Sequence, residues 1–266
     1  MSLDPARLGY GITGDLDADV VRGLAPAVER AGLRTLWVNH PARGDALATM
    51  AVAAGATTTL RIASGVLPVD HLPPGEIVRR VRELELPTDR VVLGVGASAR
   101  PSPLTTVREA VRTLTDGLGV PVVVGALGPR MRRLAARESA GLLLNWLTPS
   151  AARGAVADKD RDVAGLGTDA AVALYVRCAL GDRAHAVARR EADRYAGIPS
   201  YAANFARLGF DALDAAVLAD TAAELRARLT PYAEVLDETV VRAVTATGSL
   251  EEHLALVEAV AAGAPS

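Results

Sequence analysis

The chain has 266 residues, of which 50% are hydrophobic and 23% are charged, and its formal net charge is -2 at pH 7. This length buries one sizeable core, so a single domain over residues 1–266 is predicted, and the near balance of acidic and basic residues excludes the positive field of a nucleic-acid-binding protein. No apolar stretch reaches the roughly 18 residues of a membrane span. Because no secretory signal is apparent and Cys178 is the only cysteine, we expect a cytoplasmic protein with no membrane partner.

Short apolar runs alternate with longer amphipathic stretches from Leu8 to Leu180. The predicted strands cover residues 8–13, 35–39, 60–68, 90–95, 121–125, 142–146 and 171–180. The predicted helices between and after them cover residues 19–31, 45–57, 73–84, 105–118, 129–140 and 149–163. Such alternation is typical of parallel strands joined by crossover helices. Because no long topological break interrupts it, the pattern favours a TIM-type (β/α)8 barrel over an open sheet.

The pattern turns helical over residues 181–247, with predicted helices at residues 185–195, 201–208 and 213–229 before a last helix at residues 250–262. The candidate for an eighth strand is Thr239–Thr247. Because Leu236, Val240 and Val244 also recur at helical spacing, we favour a helix there, which leaves the eighth strand missing or degenerate. A short segment or a partner chain would then have to cover the open edge, so a homodimer is expected.

The carboxyl ends of barrel strands face the active site, so the loops that follow the strands are where chemistry is expected. The loop after the fifth predicted strand is Gly125, Ala126, Leu127, Gly128, Pro129 and Arg130. Its proline at a first helical position and the adjacent cation predict a helix N-terminus that binds an anion, and a tight turn without a ligand is the alternative. Arg132, Arg133 and Arg137 continue this helix and are expected on a solvated face rather than along a track for an acidic tail.

Other strand ends carry weaker signals. Gly94 and Gly96 indicate either a close approach to the backbone or a simple turn, and the run Ser64, Gly65, Val66 suggests an inward bulge that places Val66 in the barrel mouth. His40 is a candidate proton donor, although a lone imidazole is as often structural.

Several classes of site are not indicated by the sequence. His185 and His253 are predicted on the surfaces of helices, and Cys178 is expected to be an inert core thiol. No cluster of His, Cys, Asp and Glu has the spacing of a metal site, and no GxSxG elbow is present, so neither a metal nor hydrolase chemistry is expected.

The sequence resembles the luciferase-like monooxygenase superfamily, and within it most closely the oxidoreductases that depend on the 8-hydroxy-5-deazaflavin coenzyme F-420. The resemblance rests on the strings GLRTLWVNH, RIASGVLP, DRVVLGVGAS and IPSYAANFARLGF and on the block from Pro121 to Pro149. It implies that the cofactor lies across the carboxyl ends of the strands, with its phosphate held by the loop from Gly125 to Arg130. The residues that it assigns to the cofactor also include Asn39, Ser64, Gly65, Val66, Gly94, Gly96 and Asn145.

The resemblance further implies that Asn39 and His40 lie near the reacting face of the ring, with His40 as proton donor or acceptor. The bulge at Gly65 and Val66, which in the family often contains a cis peptide without proline, would support the opposite face. A deazaflavin carries a hydride, and the protein orients it against a substrate carbon. The implied activity is therefore hydride transfer between F-420, or alternatively FMN, and a small organic substrate.

Two departures from the family pattern bear on that activity. Asn39 stands where the deazaflavin branch frequently has an acid, and the stretch from Ser98 to Val120 is too short for the usual substrate-covering lid. F-420 and FMN share the ring and phosphate and differ in the acidic tail. The alternatives are a barrel that binds flavin or deazaflavin without catalysis, a family member that has lost the cofactor, and an unrelated phosphate-binding barrel enzyme.

Overall fold

Strands and helices alternate along the residues that the computed structural model describes, which are 3–97 and 102–262. The strands are β1 (Leu8–Thr13), β2 (Thr35–Asn39), β3 (Arg61–Ser64), β4 (Leu67–Pro68), β5 (Val91–Gly96), β6 (Val122–Gly125), β7 (Gly141–Asn145), β8 (Ala171–Leu180), β9 (Ala216–Ala219) and β10 (Glu238–Ala243). The helices are α1 (Ala18–Arg30), α2 (Ala46–Gly55), α3 (Pro74–Glu83), α4 (Pro103–Leu118), α5 (Pro129–Glu138), α6 (Pro149–Val163), α7 (Asp182–Ala196), α8 (Pro199–Leu208), α9 (Ala222–Ala233) and α10 (Leu250–Ala261).

Eight parallel strands close into a barrel. The order is β10, β1, β2, β3, β5, β6, β7, β8, and β10 pairs with β8 to complete the circle. The two short extra strands lie outside this ring of eight, β4 extending the pairing of β5 and β9 pairing with the end of β8. The predicted TIM-type barrel is confirmed.

The helix favoured over Thr239–Thr247 is wrong, because Glu238–Ala243 forms the eighth barrel strand. Five of its six residues are buried, so the alternation of buried and exposed residues that marks a half-exposed strand is absent. Pairing with β1 on one side and β8 on the other decides its conformation. Since the barrel closes within one chain, the argument for a partner that covers an open edge falls away.

The region from residue 181 to 247 is also less helical than predicted. The expected helix over residues 213–229 is replaced by a 3-10 turn at Ala212–Ala215, strand β9 and helix α9. Helix α9 begins after Thr221, whose side chain accepts a hydrogen bond from the amide of Glu224 at 3.2 Å. This N-cap marks the start of a helix after strand β9, within a segment whose helical spacing of apolar residues predicts a single helix.

The barrel interior is filled by side chains from successive strands. The buried cluster there is formed by Trp37, Ala63, Val92, Leu143, Ala173, Tyr175 and Val240, with Val66 and Val123 packed against it. Trp37 and Tyr175 meet edge to face with ring centroids 6.2 Å apart. Below them Trp37 Nε1 donates a 2.7 Å hydrogen bond to the buried carboxylate of Glu238. The core is therefore packed, and free space is left towards the carboxyl ends of the strands.

The shortened lid predicted for residues 98–120 is only partly observed, because residues 98–101 lie outside the described residues. Most of the remainder forms α4, which begins at Pro103 and ends at Leu118, followed by Gly119 in a left-handed backbone conformation. Among the described residues, no helix has both the length and the apolar character needed to span a bilayer.

Candidate functional site

A cavity of about 320 Å³ opens at the carboxyl ends of the barrel strands. It lies where the sequence predicts the cofactor, and most of the predicted residues line it. The predicted residues in its wall are Asn39, Gly65, Val66, Gly96, Gly125, Ala126, Leu127, Gly128 and Asn145. Leu143 and Met131 add apolar surface to the same wall.

Val66 projects into this cavity over two glycines. The Gly65–Val66 peptide bond is cis, as the family resemblance implies. A Cβ at Gly96 would lie 2.8 Å from Val66 Cγ2, and one at Gly125 would lie 3.0 Å from Val66 Cγ1. Glycine as the last residue of β5 and of β6 thus leaves room for the Val66 side chain, which a larger residue would have to displace.

Ser64 and Gly94 lie behind the cavity rather than in its wall. Ser64 is fully buried, and its hydroxyl accepts a 2.9 Å hydrogen bond from the Gly94 amide and donates one of 3.1 Å to the Gly94 carbonyl. A Cβ at Gly94 would lie 2.1 Å from the Ser64 carbonyl oxygen. These contacts join the ends of β3 and β5 and so hold the Gly65–Val66 segment in place.

The polar end of the cavity is organised by Arg177 on β8. Its guanidinium lies 4.0 Å above the Trp146 ring, pairs with Glu191 at 3.2 Å and donates to Asn145 Oδ1. Asn145 Nδ2 in turn donates to the Tyr201 hydroxyl at 3.2 Å. Asn145 is therefore held in one orientation at the end of β7, with a buried cation directly behind it.

Three tyrosines line the cavity although the sequence analysis gave them no role: Tyr175, Tyr195 and Tyr201. The Tyr175 hydroxyl is buried and has no hydrogen-bond partner among the described residues. Burial raises the pKa of Tyr175, so the phenol keeps its proton and offers a donor to a ligand. The alternation of inward residues along β8 could have indicated Tyr175, whereas Tyr195 and Tyr201 come from helices α7 and α8, whose docking no local pattern encodes.

His40 lies beside the cavity but does not line it. Its neighbour Asn39 reaches the wall, whereas the half-buried His40 has a buried Nδ1 without a hydrogen-bond partner among the described residues. Burial lowers the pKa of His40, and the nearby Asp45 opposes this only in part because Asp45 is paired with Arg80. The imidazole is therefore predominantly neutral at pH 7.

Pro129 and Arg130 face away from the cavity, towards a cleft of about 620 Å³ between the N-termini of α4 and α5. The cleft shares Gly128 and Met131 with the cavity wall, so the two spaces adjoin. Neither Ser102 before α4 nor Gly128 before α5 makes a side-chain cap. The first turns of both helices thus have backbone amides without a side-chain cap, and anion binding at α5 stays a prediction.

The two remaining helical histidines are not on the surface, as predicted, but buried. His253 accepts or donates a 2.9 Å hydrogen bond with the Tyr10 hydroxyl, and His185 Nε2 lies 3.0 Å from the Ala219 carbonyl. His185 Nδ1 is 3.9 Å from a carboxylate oxygen of Asp182, three residues earlier on α7, and 3.9 Å from one of Asp220, so these three groups converge. These three residues lie apart from the cavity.

Cys178 is buried, and burial raises the pKa of its thiol. The thiol is therefore protonated at neutral pH, which agrees with the inert role expected of it.

Comparison with known proteins agrees with the geometry. The family model described as luciferase-like monooxygenase matches residues 2–109 and 103–265. The chain is 27% identical over 181 residues to the 5,10-methylenetetrahydromethanopterin reductase of Archaeoglobus fulgidus, covering 54% of this chain and 52% of that protein. It thus spans about half the length of this curated relative.

Solved structures share the fold at low sequence identity. An F-420-dependent secondary alcohol dehydrogenase in complex with an F-420-acetone adduct superimposes with a TM-score of 0.75 at 16% identity, over 98% of this chain and 99% of that one. The F-420-dependent tetrahydromethanopterin reductase of Methanopyrus kandleri gives 0.72 at 14% identity, over 97% and 98%. The oxygenating constituent of 3,6-diketocamphane monooxygenase of Pseudomonas putida, in complex with FMN, gives 0.70 at 11% identity, over 96% of each chain. With the family match over nearly its whole length, the chain belongs to the luciferase-like monooxygenase family.

Proposed function

We propose that this protein is an oxidoreductase that transfers a hydride between coenzyme F-420, or alternatively FMN, and a small organic substrate. One observation carries the proposal: a cavity at the carboxyl ends of the strands is lined by nine residues assigned to the cofactor on sequence grounds, from Asn39 to Asn145. Family membership and relatives that use F-420 or FMN support the same class of cofactor.

The wall of the cavity fits a flat, mostly apolar ring with polar edges. Val66 and Leu143 supply apolar surface, and Asn39 and Asn145 supply amide groups. The unpartnered Tyr175 hydroxyl supplies a donor that a carbonyl or ring nitrogen of the cofactor would satisfy. A buried donor without a partner is costly, so a polar ligand atom at this point accounts for its retention.

The phosphate of the cofactor is proposed to lie in the cleft between the N-termini of α4 and α5. This cleft adjoins the cavity through Gly128 and Met131, and both helix N-termini lack a side-chain cap. Amides without a capping side chain and the positive ends of two helix dipoles favour an anionic group there.

The bound deazaflavin or flavin supplies the group that accepts or gives the hydride. The protein's part is to orient the cofactor and substrate and to handle protons. His40 is predominantly neutral at pH 7 because burial lowers its pKa, so it can accept the proton that a substrate gives up as its hydride leaves, and in the reverse direction the protonated ring returns that proton to the reduced substrate. Asn145 keeps its orientation through Arg177 and Tyr201 and so fixes one edge of the bound ring.

The test is a pair of fluorescence titrations with oxidised F-420 and oxidised FMN, on the wild type and on Asn145→Ala. Micromolar binding of one cofactor, weakened in Asn145→Ala and unchanged in the surface variant Arg22→Gln, would support the proposal. Arg22 is exposed on α1 and pairs only with Asp19 among the described residues, so it is a suitable control. Binding of neither cofactor would contradict it.

A binding protein without catalysis is the second candidate, because the His40 side chain does not line the cavity. Turnover separates the two functions. The protein is mixed with reduced cofactor and a panel of small carbonyl compounds, and loss of the spectrum of the reduced cofactor is followed. Such loss in the wild type would support the enzyme if His40→Gln abolishes it while retaining affinity for the cofactor. Binding without turnover over the whole panel would favour the non-catalytic protein.

A homodimer in the cytoplasm is also proposed, and sedimentation of the purified protein tests its oligomeric state.

A further inference from the structure

Arg132 on α5 is a buried cation that makes no hydrogen bond or ion pair with the described part of the chain. It is 6% exposed, and its Nε and Nη2 atoms have no hydrogen-bond partner among the described residues. The sequence analysis expected Arg132 on a solvated face, and that is wrong. Burial and the positive charge of Arg207 on α8 lower the pKa of Arg132 to about 10, so the guanidinium remains charged at neutral pH. A buried, unpaired charge is unfavourable unless a ligand completes it.

Arg132 lies in the wall of an arginine-rich cleft of about 830 Å³ on the outer side of the barrel, bounded by α4, α5 and α6. Three acidic residues line the cleft, and each pairs with one arginine: Arg108 with Glu138, Arg133 with Asp162, and Arg161 with Asp158. Arg130, Arg132 and Arg137 line the same cleft, and among the described residues none of the three forms an ion pair with a carboxylate. Asp158, which pairs with Arg161, acts on Arg132 only by its nearby charge, and Arg137 donates to the Asp162 carbonyl at 2.9 Å. The cleft therefore carries an excess of positive charge on a chain of net charge -2.

The arginine-rich cleft is continuous with the proposed cofactor site. It shares Leu104, Pro129 and Arg130 with the cleft between the N-termini of α4 and α5. That cleft in turn shares Gly128 and Met131 with the cavity at the strand ends. A single extended molecule can thus run from the barrel mouth, past the two helix N-termini and onto Arg132.

We infer that this arginine-rich cleft binds a polyanionic extension of the ligand whose ring lies in the cavity, with Arg132 as its buried anchor. The inference rests on the proposed function and narrows it. A ligand that ends at its phosphate leaves Arg130, Arg132 and Arg137 unpaired, whereas a chain of carboxylates beyond the phosphate pairs with them. The protein therefore selects the cofactor with an acidic tail, F-420, over FMN.

The test compares both cofactors on three proteins: wild type, Arg132→Met and Arg22→Gln. Methionine keeps much of the length of arginine and removes the charge, and Arg22→Gln removes the same charge from a distant exposed site. We expect Arg132→Met to weaken the binding of F-420 by about tenfold or more and the binding of FMN far less. In the wild type, the preference for F-420 over FMN is expected to fall as the salt concentration rises. Equal weakening of the two cofactors, or none, would overturn the inference.

Two further measurements separate this inference from the proposed function and from misfolding. Because Arg132 is unpaired, Arg132→Met is expected to raise the melting temperature of the ligand-free protein, whereas a structural role predicts a fall and would count against the inference. Tripolyphosphate serves as a polyanion without a ring. If neither cofactor binds the wild type, the proposed function fails. The inference is then tested by the melting temperature with tripolyphosphate, which is expected to rise in the wild type but not in Arg132→Met. Stabilisation of both proteins, or of neither, would refute it.

Discussion

Replacing Arg177 by methionine removes the cation that holds the polar end of the cavity together. The side chains of Arg177 and Glu191 are only 3% and 12% exposed, and their nearest charged atoms are 3.2 Å apart. Burial alone would raise the pKa of Glu191, but the charges of Arg177 and Arg242 hold it below its ordinary value. Arg177→Met leaves this carboxylate buried without its hydrogen-bonded partner, and loss of one partner of a buried pair costs about 3–5 kcal/mol.

The assay is urea unfolding of Arg177→Met, of Glu191→Gln and of the double variant. Since the double variant removes both charges, it is expected to be less destabilised than the sum of the single variants by at least about 1 kcal/mol. Arg177→Met also frees Asn145 Oδ1, so it should weaken cofactor binding more than Glu191→Gln does. A loss below about 1 kcal/mol in Arg177→Met, with additive effects in the double variant, would refute the interpretation that this buried pair organises the site.

Two other changes test the geometry of the barrel and its core. Gly125→Val is expected to reduce cofactor affinity by about tenfold or more, because its side chain would meet Val66 inside the cavity. Gly154→Val, with nothing within 4 Å of its Cβ, should leave affinity unchanged in the same titration. Unchanged affinity in Gly125→Val would contradict the assignment of the cavity. Burial lowers the pKa of His253 from 6.5 to about 4. The unfolded state therefore binds a proton more readily than the folded state, and stability should fall by up to about 3 kcal/mol as pH drops from about 6.5 to 4. Urea midpoints measured across this range should show the slope in the wild type and a smaller one in His253→Phe, and equal slopes would exclude His253 as the cause.

The sequence predicts the barrel well because its signal is local and repeated. Strand β8 is predicted over the residues that form it, 171–180, since a long apolar run bounded by Gly181 has no helical period. Strand β10 could not be predicted in the same way. It is buried on both faces and its apolar residues fit a helix as well, so its conformation depends on β1 and β8, which are distant in sequence.

The candidate site divides along similar lines. Gly96 and Gly125 could be identified because glycine at a strand end implies a close approach, although the neighbour that requires it, Val66, is known only from the fold. Arg132 could not be recognised as buried, because the sequence of α5 shows four arginines among ten residues and gives no sign that Arg207 on α8 lies near one of them. Long-range packing thus determines which polar residues are available to a ligand.

The most direct test of the account is a crystal structure of the protein grown with oxidised coenzyme F-420. The account predicts the ring in the cavity against Val66, an edge of the ring at Asn145, the phosphate between the N-termini of α4 and α5, and the acidic tail on Arg132. A ring bound elsewhere on the barrel, or a cavity that stays free of the cofactor at millimolar concentration, would contradict the central claim.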